Sequence, residues 1–418
     1  MSETLTTPGA PAAGPAPVPL GRNRHFLLLW VGAAVSGLGS RATAIGYTLL
    51  VYWSTGSATQ AGLVAFAALL PTLLVQMPAG ALVDRWDRRR TLVVCNVGRV
   101  LGVGSVAVAV AGGHVWLAHL MVVAFVEATL TVFYVLAERA AVCTVVARGQ
   151  LGAAMSANEA RQYGAGLLGQ PGGTLLYTLT RWAPFGAAAV AHAVAFVALL
   201  FVRRPLQDDR PPPVNRPRIT AQIAEGFRFV WGQLYLRRAL ALLAASNVLF
   251  QVTALGLVVI VRQDGGPPAH VGIVLMASSL AGMAGAMTGN FHMERWGIRR
   301  IIMTVNVSWA VLMPLIGLAP GVVTLAVLYA LISYGAGVGN VAGIVYQVRT
   351  TPDRLRGRAG SVSTLLAAGS SSLGALVAGV ALDAVDTRTA LLAVGAVMAV
   401  IAVFAVLAFA GPTAAAAE

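Results

Sequence analysis

The sequence predicts an all-α membrane protein with twelve transmembrane helices in two six-helix halves. Three observations predict this fold class: the composition, the length of the apolar runs and an internal repeat. Of the 418 residues, 57% are hydrophobic and only 11% are charged, which leaves too few charges to cover a water-soluble surface of this size. The apolar residues also form unbroken runs, and about 20 residues of helix are needed to cross a bilayer.

Twelve apolar runs are separated by polar segments, with the longest connection between the sixth and the seventh run. We predict an N-terminal half over 22–202, a cytoplasmic linker over 203–238 and a C-terminal half over 239–410. Residues 1–21 lack the features of a signal peptide, so a disordered tail is expected there, and a second tail over 411–418. The predicted spans are 26–53, 58–83, 91–111, 115–137, 151–179, 185–202, 239–261, 271–292, 301–318, 322–347, 359–382 and 390–410.

The arginines predict the orientation. Lysine is absent, so all 29 basic residues are Arg, and the net charge is +14. If the N-terminus is cytoplasmic, 23 arginines fall in cytoplasmic segments and three in outer segments. Because basic loops stay on the cytoplasmic side, both termini are predicted to be cytoplasmic. The arginines form short clusters without base-reading or stacking groups, so nucleic acid is not expected as a partner.

The linker is predicted to contain an amphipathic helix after an extended stretch at 210–218 that is rich in Pro and Arg. Its apolar residues recur at spacings of three and four, which place them on one helix face; they are Ile219, Ile223, Phe227, Val230 and Leu234. Such a helix either lies at the inner membrane surface or packs only against protein. The pattern favours the two interpretations equally.

Two loops repeat one pattern at an offset of 210 residues. The first is Gly80-Ala-Leu-Val-Asp84-Arg85-Trp86-Asp87-Arg88-Arg89-Arg90, and the second is Glu294-Arg295-Trp296-Gly297-Ile298-Arg299-Arg300. An orientation signal explains the arginines of such loops but does not explain the matched acid and Trp. The repeat therefore indicates that the chain contains two related halves.

The chain resembles the major facilitator superfamily, whose signature at this loop is Gly-x-x-x-Asp-Arg-x-Gly-Arg-Arg. Asp87 stands where the signature has its second glycine, and the matching residues are Gly80, Asp84, Arg85, Arg88 and Arg89. In the second loop Gly297 keeps that glycine, whereas Asn290 stands at the first. The resemblance covers roughly residues 23–409 and implies two six-helix halves with inverted repeats inside them.

Finer features resemble a branch of the superfamily that exports siderophores, macrolides and other drugs. They are Thr55-Gly56-Ser57-Ala58, the linker segment Glu225-Gly-Phe-Arg-Phe-Val-Trp231 and the segment Pro352-Asp-Arg-Leu-Arg-Gly-Arg358. Segment 166–173 is an imperfect match to an antiporter motif. Its glycines are expected to permit close helix contact and a bend.

The resemblance implies that the duplicated loop is a conformational latch. An acid at a helix end accepts hydrogen bonds from a neighbouring helix N-terminus or pairs with Arg. In the superfamily this contact joins the second span to the eleventh, where Gly357 and Gly360 would let the backbones approach. A contact that exists in one state only biases a rocking equilibrium. The latch residues are Gly80, Asp84, Arg85, Arg88, Arg89, Glu294, Arg295, Gly297, Arg299 and Arg300.

Arg41 and Glu127 are predicted to lie near the membrane midplane, each 12 residues from the outer end of its span, or about 18 Å deep. Ionisable groups at this depth tend to be functional or paired, and the resemblance implies that their spans line the central cavity. Three interpretations stay open: Glu127 carries a proton, Arg41 binds an anionic substrate group, or the two form a structural ion pair. Relatives often carry Asp where this chain has Ser40, which leaves Glu127 as the midspan carboxylate.

Other polar residues of the spans are candidates for substrate contacts or for helix packing. Arg99 and the clusters 138–139 and 159–161 lie toward the cytoplasmic side and are expected to be latch or snorkelling groups. Polar residues in the second half more often satisfy helix–helix hydrogen bonds. The candidate substrate contacts there are Asn247, Gln251, Tyr334 and Asn340.

No cofactor, metal site or enzymatic activity is predicted. Cys95 and Cys143 lack metal-ligand spacing and are expected to be buried free thiols. His114 and His119 are five residues apart and so lie on different helix faces, which does not suit a metal. A nucleotide-binding Gly-x-x-x-x-Gly-Lys-Ser/Thr motif needs the lysine that this chain lacks.

The sequence predicts a secondary active exporter of the bacterial inner membrane, a monomer among membrane lipids that works by alternating access and is driven by protons. A broad apolar cavity with few charges suits an amphiphilic organic compound, such as an antibiotic, drug or siderophore, better than a sugar. Two alternatives stay open: an importer or facilitator of a small organic anion bound at Arg41, and a transport-inactive receptor or assembly factor.

The two copies of the loop are unequal, because the first keeps both Gly80 and the aspartate and the second lacks the leading glycine. Asp84→Asn is therefore expected to slow transport more than Glu294→Gln. Transport rates of the two reconstituted variants, measured at equal amounts of protein, test this. Equal rates would count against an asymmetric latch.

Overall fold

The computed structural model describes residues 18–207 and 219–410, and the regular elements in these ranges are all helical. Residues 1–17 of the tail predicted over 1–21, the tail predicted over 411–418 and the extended stretch at 210–218 lie outside the described residues. At the end of the predicted N-terminal tail, Leu20–Arg22 forms a short 3-10 helix. Asn23 then caps the first α-helix, since its side chain accepts a hydrogen bond from the Phe26 N–H.

The α-helices of the described residues follow the predicted spans closely. Ten of them are long and apolar enough to cross a membrane. Of the other two, α7 is the short linker helix. Helix α5 is long enough to cross a membrane, but its Gly, Gln and Tyr residues lower its hydropathy. The helices are α1 (Arg24–Thr55), α2 (Ala58–Val83), α3 (Arg88–Ala111), α4 (Leu117–Val145), α5 (Leu151–Leu179), α6 (Ala183–Leu200), α7 (Ile219–Gly232), α8 (Leu234–Gln263), α9 (Pro268–Ile316), α10 (Val322–Thr350), α11 (Arg356–Ala384) and α12 (Thr387–Ala410).

Helix α9 has two arms that meet at Gly297. This residue has φ 74° and ψ 154°, a backbone conformation that glycine adopts much more readily than residues with a Cβ. The predicted spans at 271–292 and 301–318 are the two arms. The glycine that the second loop keeps is therefore required by the bend between them.

The helices pack into two groups. In the first, α1 packs against α5 and α6, α2 against α4, and α3 against α4 and α6. In the second, α9 packs against α10 and α12, and α8 against α11 and α12. The main contacts between the groups join α2 to α11, α5 to α9 and α1 to α8. We call the end of the bundle with the start of α1 and the end of α2 the Arg-rich end, and the other end the distal end.

Glycines set the closest approach of α5 to α1, as segment 166–173 predicts. A Cβ on Gly173 would lie 2.6 Å from the Cα of Ala42, and Gly169 lies directly against Arg41. Small residues at a helix contact let the backbones come together in this way. The contact fixes the rotation of α1, and this rotation decides which of its side chains face α4.

The linker contains helix α7, which ends at Gly232, and Leu234 of the predicted apolar face begins α8. Gly226 lies against the start of α11, where a Cβ would be 2.8 Å from the carbonyl oxygen of Arg358. Glu225 forms an ion pair with Arg358. The two exporter-like segments 225–231 and 352–358 therefore meet in space.

Two aromatic residues of α7 remain exposed. Phe227 and Trp231 stack with their ring centroids 4.5 Å apart, while Val230 is fully buried. One face of α7 thus packs on protein, and another presents aromatic rings. Its position at a membrane surface stays a prediction.

Candidate functional site

A cavity of about 340 Å³ lies within the first helix group, between α1, α2, α4 and α5. Its lining runs from Tyr47, in the middle of the bundle, toward Ala33 near the Arg-rich end. Small side chains leave the space, and they include Gly37, Ala44, Ala68, Ala128 and Ala165. Polar side chains project among them, so the cavity combines a mostly apolar surface with hydrogen-bonding positions on α1, α2, α4 and α5. Such a wall suits an amphiphilic ligand.

Glu127 of α4 lies buried in the wall of this cavity, with 6% of its surface exposed. Its Oε1 accepts a hydrogen bond from the Thr43 hydroxyl at 2.8 Å, and its Oε2 accepts one from the Tyr47 hydroxyl at 3.0 Å. These donors are one turn apart on α1, so a single helix face serves both carboxylate oxygens. A buried carboxyl group needs such partners.

Arg41 does not pair with Glu127, so the ion pair considered from the sequence is not formed. Arg41 lines the cavity with an exposed side chain, and it makes no hydrogen bond or ion pair within the described residues. The helix geometry explains this, because Arg41 and Thr43 are two positions apart in α1 and their side chains therefore project about 200° apart around the helix axis. Arg41 therefore points away from the face on which Thr43 meets Glu127.

His192 of α6 completes the surroundings of Glu127 and was missed in the sequence. It is fully buried, with Nδ1 3.0 Å from the Ser36 hydroxyl and Nε2 3.8 Å from Glu127 Oε1. A single imidazole inside the sixth apolar run was the signal that could have found it.

Arg99 of α3 is fully buried, so its interpretation as a latch or snorkelling group is wrong. It donates to the Asn96 side-chain oxygen at 2.7 Å and to the Cys95 carbonyl at 3.3 Å. Its guanidinium lies 4.3 Å from the centre of the Tyr134 ring, a cation–π contact that stabilises a buried charge. Cys95 and Cys143 are free thiols, but Cys143 is exposed rather than buried.

The acid–arginine clusters at 138–139 and 159–161 pair across α4 and α5. Arg161 binds Glu138 at 3.1 Å, and both side chains are nearly buried. Arg139 binds Glu159 at 2.6 Å on the surface. These pairs hold the first group together near the Arg-rich end, and the exposed one contributes little stability.

The candidates in the second group are not part of this cavity. Asn247 donates to the Ser370 hydroxyl on α11 at 3.4 Å, and the Tyr334 hydroxyl bonds a threonine of α9 at 2.9 Å. Gln251 packs beside a glycine of α11, and Asn340 is exposed. In the structure, the polar contacts of Asn247 and Tyr334 join neighbouring helices of the second group.

The arginines of the first duplicated loop bind within their own helix group. Arg88 donates to the carbonyls of Ala140 and Leu206, at 3.2 and 3.1 Å, and Arg89 donates to the carbonyl of Val202. Arginines near the last carbonyls of a helix are favourable. The pair therefore fastens the start of α3 to the ends of α4 and α6.

The close backbone approach expected at the glycines between the end of α2 and the start of α11 is not seen at Gly80, Gly357 or Gly360. A Cβ on Gly80, Gly357 or Gly360 would have nothing within 4 Å. Asp87, which replaces the signature glycine, caps α3 by accepting the Arg90 N–H at 2.7 Å. In the second loop the outward-facing residues are Glu294, Arg295 and Arg300, while Arg299 is half-buried.

The two helix groups are fastened at the distal end by Asp383 of α11. Its carboxylate accepts hydrogen bonds from the N–H groups of Ala58 and Thr59 and from the Ser57 hydroxyl, each at 2.8 Å. A carboxylate at a helix N-terminus satisfies free N–H groups and is favoured by the helix dipole. We call this arrangement at the start of α2 the distal clasp.

Two further contacts support the distal clasp. Arg262 at the end of α8 donates to the Tyr52 carbonyl and lies 4.9 Å from the centre of its ring. Gly62 and Gly379 bring α2 and α11 together, since a Cβ on Gly62 would lie 2.8 Å from the Cα of Gly379. The groups are thus in contact at the distal end and apart at Gly357 and Gly80.

Three comparisons with known proteins bear on this arrangement. A family model described as a transmembrane secretion effector matches residues 15–418. The multidrug efflux pump Tap of Mycolicibacterium fortuitum is 31% identical over 372 residues, which are 86% of this chain and 89% of the relative. Macrolide efflux protein A of Streptococcus pyogenes is 24% identical over 342 residues, which are 79% and 82% of the two chains.

The fold is also similar to that of a solved transporter. The crystal structure of the nucleoside transporter NupG superposes with a TM-score of 0.73 at 16% identity, covering 92% of this chain and 99% of the other. At this identity the likeness shows the fold alone.

Removal of the carboxylate from the distal clasp is expected to open the distal end. Asp383→Ala deletes the acceptors of three hydrogen bonds, and a charged cap contributes about 1–2 kcal/mol, so the open population should rise about tenfold. Spin labels at Leu179 and Val323, on opposite groups at the distal end, measure the separation.

Asp386→Ala is the matched control, because Asp386 caps the N–H groups of Arg388 and Thr389 in its own helix α12. It should leave the distance distribution unchanged. If Asp383→Ala gives the same distribution as the unaltered protein, the distal clasp does not hold the groups together.

Proposed function

This chain belongs to the transmembrane secretion effector family of major facilitator transporters, and we propose that it is a proton-driven exporter of an amphiphilic organic compound. It is a multi-pass protein of a bacterial inner membrane and a transporter rather than an enzyme. The resemblance to the exporter branch is confirmed. The observation that carries the proposal is a buried carboxyl group, Glu127, in the wall of a mostly apolar cavity.

The proposed substrate class rests on the cavity and on the relatives. Alanine and glycine line much of its wall, and most of the surface that faces the space is apolar, with hydroxyl, amide, carboxyl and guanidinium groups set among the apolar positions. This arrangement favours a drug-like compound over a sugar. The two relatives are named for multidrug and macrolide efflux. An antibiotic, another drug or a siderophore fits this class.

The proposed mechanism is alternating access by a monomer among membrane lipids. With α5 and the two arms of α9 counted, twelve spans cross the membrane, and the Arg-rich end faces the cytoplasm. The closed distal clasp and the separated glycines at the other end then correspond to an inward-facing state. Closing the Arg-rich end and breaking the clasp would expose the cavity outside. The candidates Asn247, Gln251, Tyr334 and Asn340 would meet the substrate when the groups rock together.

Efflux from cells tests the proposed direction. Cells that express the chain are expected to accumulate less of an exported antibiotic or dye, and a protonophore should abolish the difference. Fluorescent substrate retention measures this directly. Gradient-dependent accumulation of a compound would instead support import.

Import or facilitated passage of a small organic anion is the second candidate, and the unpaired Arg41 favours it. An unpaired guanidinium at membrane depth is costly, and a carboxylate ligand would supply its missing partner. Arg41→Gln should then abolish uptake of organic acids and spare efflux of neutral amphiphiles. If efflux falls and no organic acid is taken up, Arg41 serves the exporter.

Loss of the Glu127 carboxyl group is expected to abolish pH-driven transport. Glu127→Gln keeps the shape of the side chain and a hydrogen-bonding amide, but it cannot take up and release a proton. Transport into everted vesicles with an imposed pH gradient measures the effect. Glu159→Gln, which removes an exposed ion-pair partner on the surface, is the control and should retain transport. Unchanged pH-driven transport by Glu127→Gln would exclude the proton role.

A further inference from the structure

We propose that His192 and Glu127 form one proton-binding pair, in which His192 sets the pH at which Glu127 loads and releases its proton. This inference rests on the proposed function, in which Glu127 carries the coupling proton. It adds His192, from a different helix, to the proposed proton-binding site.

The position of His192 is the first observation. Its ring is fully buried on α6, and Nδ1 lies 3.0 Å from the Ser36 hydroxyl of α1. Nε2 has no hydrogen-bond partner and faces Glu127 Oε1 at 3.8 Å. A buried imidazole nitrogen without a partner is uncommon. Here it lies a few tenths of an ångström beyond hydrogen-bonding distance from a carboxyl group.

The Ser36 hydroxyl can donate to Nδ1 or accept from it, so this hydrogen bond accommodates either tautomer of the ring. When the Ser36 hydroxyl donates to Nδ1, the proton of a neutral imidazole resides on Nε2. The Nε2–H then points at Glu127 Oε1, which already accepts from Thr43. Small movements of α6 against α4 would therefore make or break an N–H···O bond to the carboxyl group.

A small number of charged groups surround the pair. Among the described residues, the charges that act on His192 are those of Glu127 on α4 and Arg99 on α3. Helix α1 contributes the hydroxyls of Ser36, Thr43 and Tyr47. Arg99 cannot lose its charge at physiological pH. Arg41 of α1 and Arg161 of α5 line the same cavity as Glu127, and their guanidinium groups also stay charged. The pair itself is therefore what responds to protons.

The proton balance is simple. A proton from cavity water adds to the pair either at Glu127, as a carboxyl O–H, or at the ring nitrogen of His192 that carries no proton, which gives an imidazolium whose Nε2–H faces the carboxylate. Both forms have the same net charge, and moving the proton between them breaks one O–H or N–H bond and makes the other. On release the proton returns to water on the opposite side. Either form needs both side chains to remain in contact.

His192→Gln tests the proposal, because glutamine can still hydrogen-bond but does not titrate. A cation this close to a carboxylate stabilises its ionised form, and glutamine cannot supply that charge. The midpoint of pH-driven transport in everted vesicles is therefore expected to move to higher pH by at least about one unit. The infrared band of the protonated Glu127 carboxyl, identified by its loss in Glu127→Gln, should persist to higher pH by the same interval.

His119→Gln is the matched control, because His119 also faces a serine hydroxyl, that of Ser105 at 2.9 Å, but on the exposed surface. It should leave both midpoints unchanged. Ser36→Ala keeps the imidazole and removes the hydrogen bond that holds the ring in its position beside Glu127, so a smaller shift in the same direction is expected. In the Glu127→Gln background, His192→Gln should produce no further change in pH dependence.

The outcomes separate this inference from the proposed function. Suppose that Glu127→Gln abolishes pH-driven transport, whereas His192→Gln and Ser36→Ala both show the pH profile of the unaltered protein. The His192–Glu127 pair is then refuted, and the proposal of a proton-driven exporter is retained. If Glu127→Gln transports normally with pH, the proton role itself fails. Should His192→Gln not fold, the infrared midpoint of Ser36→Ala decides: a shift supports the pair, and no shift refutes it.

Discussion

A charge inside a bilayer has to be given partners by the protein, and this constraint organises the first helix group. Glu127 is held by two hydroxyls of one α1 face, and Arg99 is covered by an aromatic ring and an amide. Arg161 and Glu138 neutralise each other across α4 and α5. The second group keeps its charged residues near helix ends. The two halves therefore share a fold but divide the chemistry unequally, with the titratable groups concentrated around a single cavity.

Composition and apolar run length were sufficient to predict a helical membrane protein, because the strands of a membrane barrel are shorter and alternate apolar with polar residues, whereas unbroken apolar runs of about 20 residues suit helices. The depth of Glu127 in the bundle follows from counting residues along a helix. Its partners do not, because the rotation of each helix about its axis is set by packing against distant segments, such as Gly169 and Gly173 of α5 against α1. For the same reason His192 could be placed in a span but not beside Glu127. Asp383 of the distal clasp lies one residue beyond the predicted eleventh span, where nothing in the sequence indicates that it contacts α2.

The short segments that resemble the exporter branch lie at turns between helices or where two helices pack backbone to backbone. Residues 55–58 form the turn where Gly56 has φ 76° and Ser57 begins the distal clasp. Segment 225–231 packs its glycine against the backbone of segment 352–358 at the Arg-rich end. The spans between them tolerate many apolar side chains, since lipid and helix neighbours are both apolar. Close backbone contacts and helix caps admit few residues, which explains why the recognisable motifs are found there.

The distal clasp joins Ser57 to a residue 326 positions later in the chain. At a synthesis rate of 5–20 residues per second, α2 waits roughly 16–65 s after its own translation before α11 can emerge to cap it. During that interval the first helical turn of α2 has only the Ser57 hydroxyl, which accepts the Gln60 N–H at 3.2 Å, to satisfy its free N–H groups. The newly synthesised first half must therefore remain in the membrane without the distal clasp. A substitution of Ser57 would therefore affect membrane insertion and folding as well as the folded transporter.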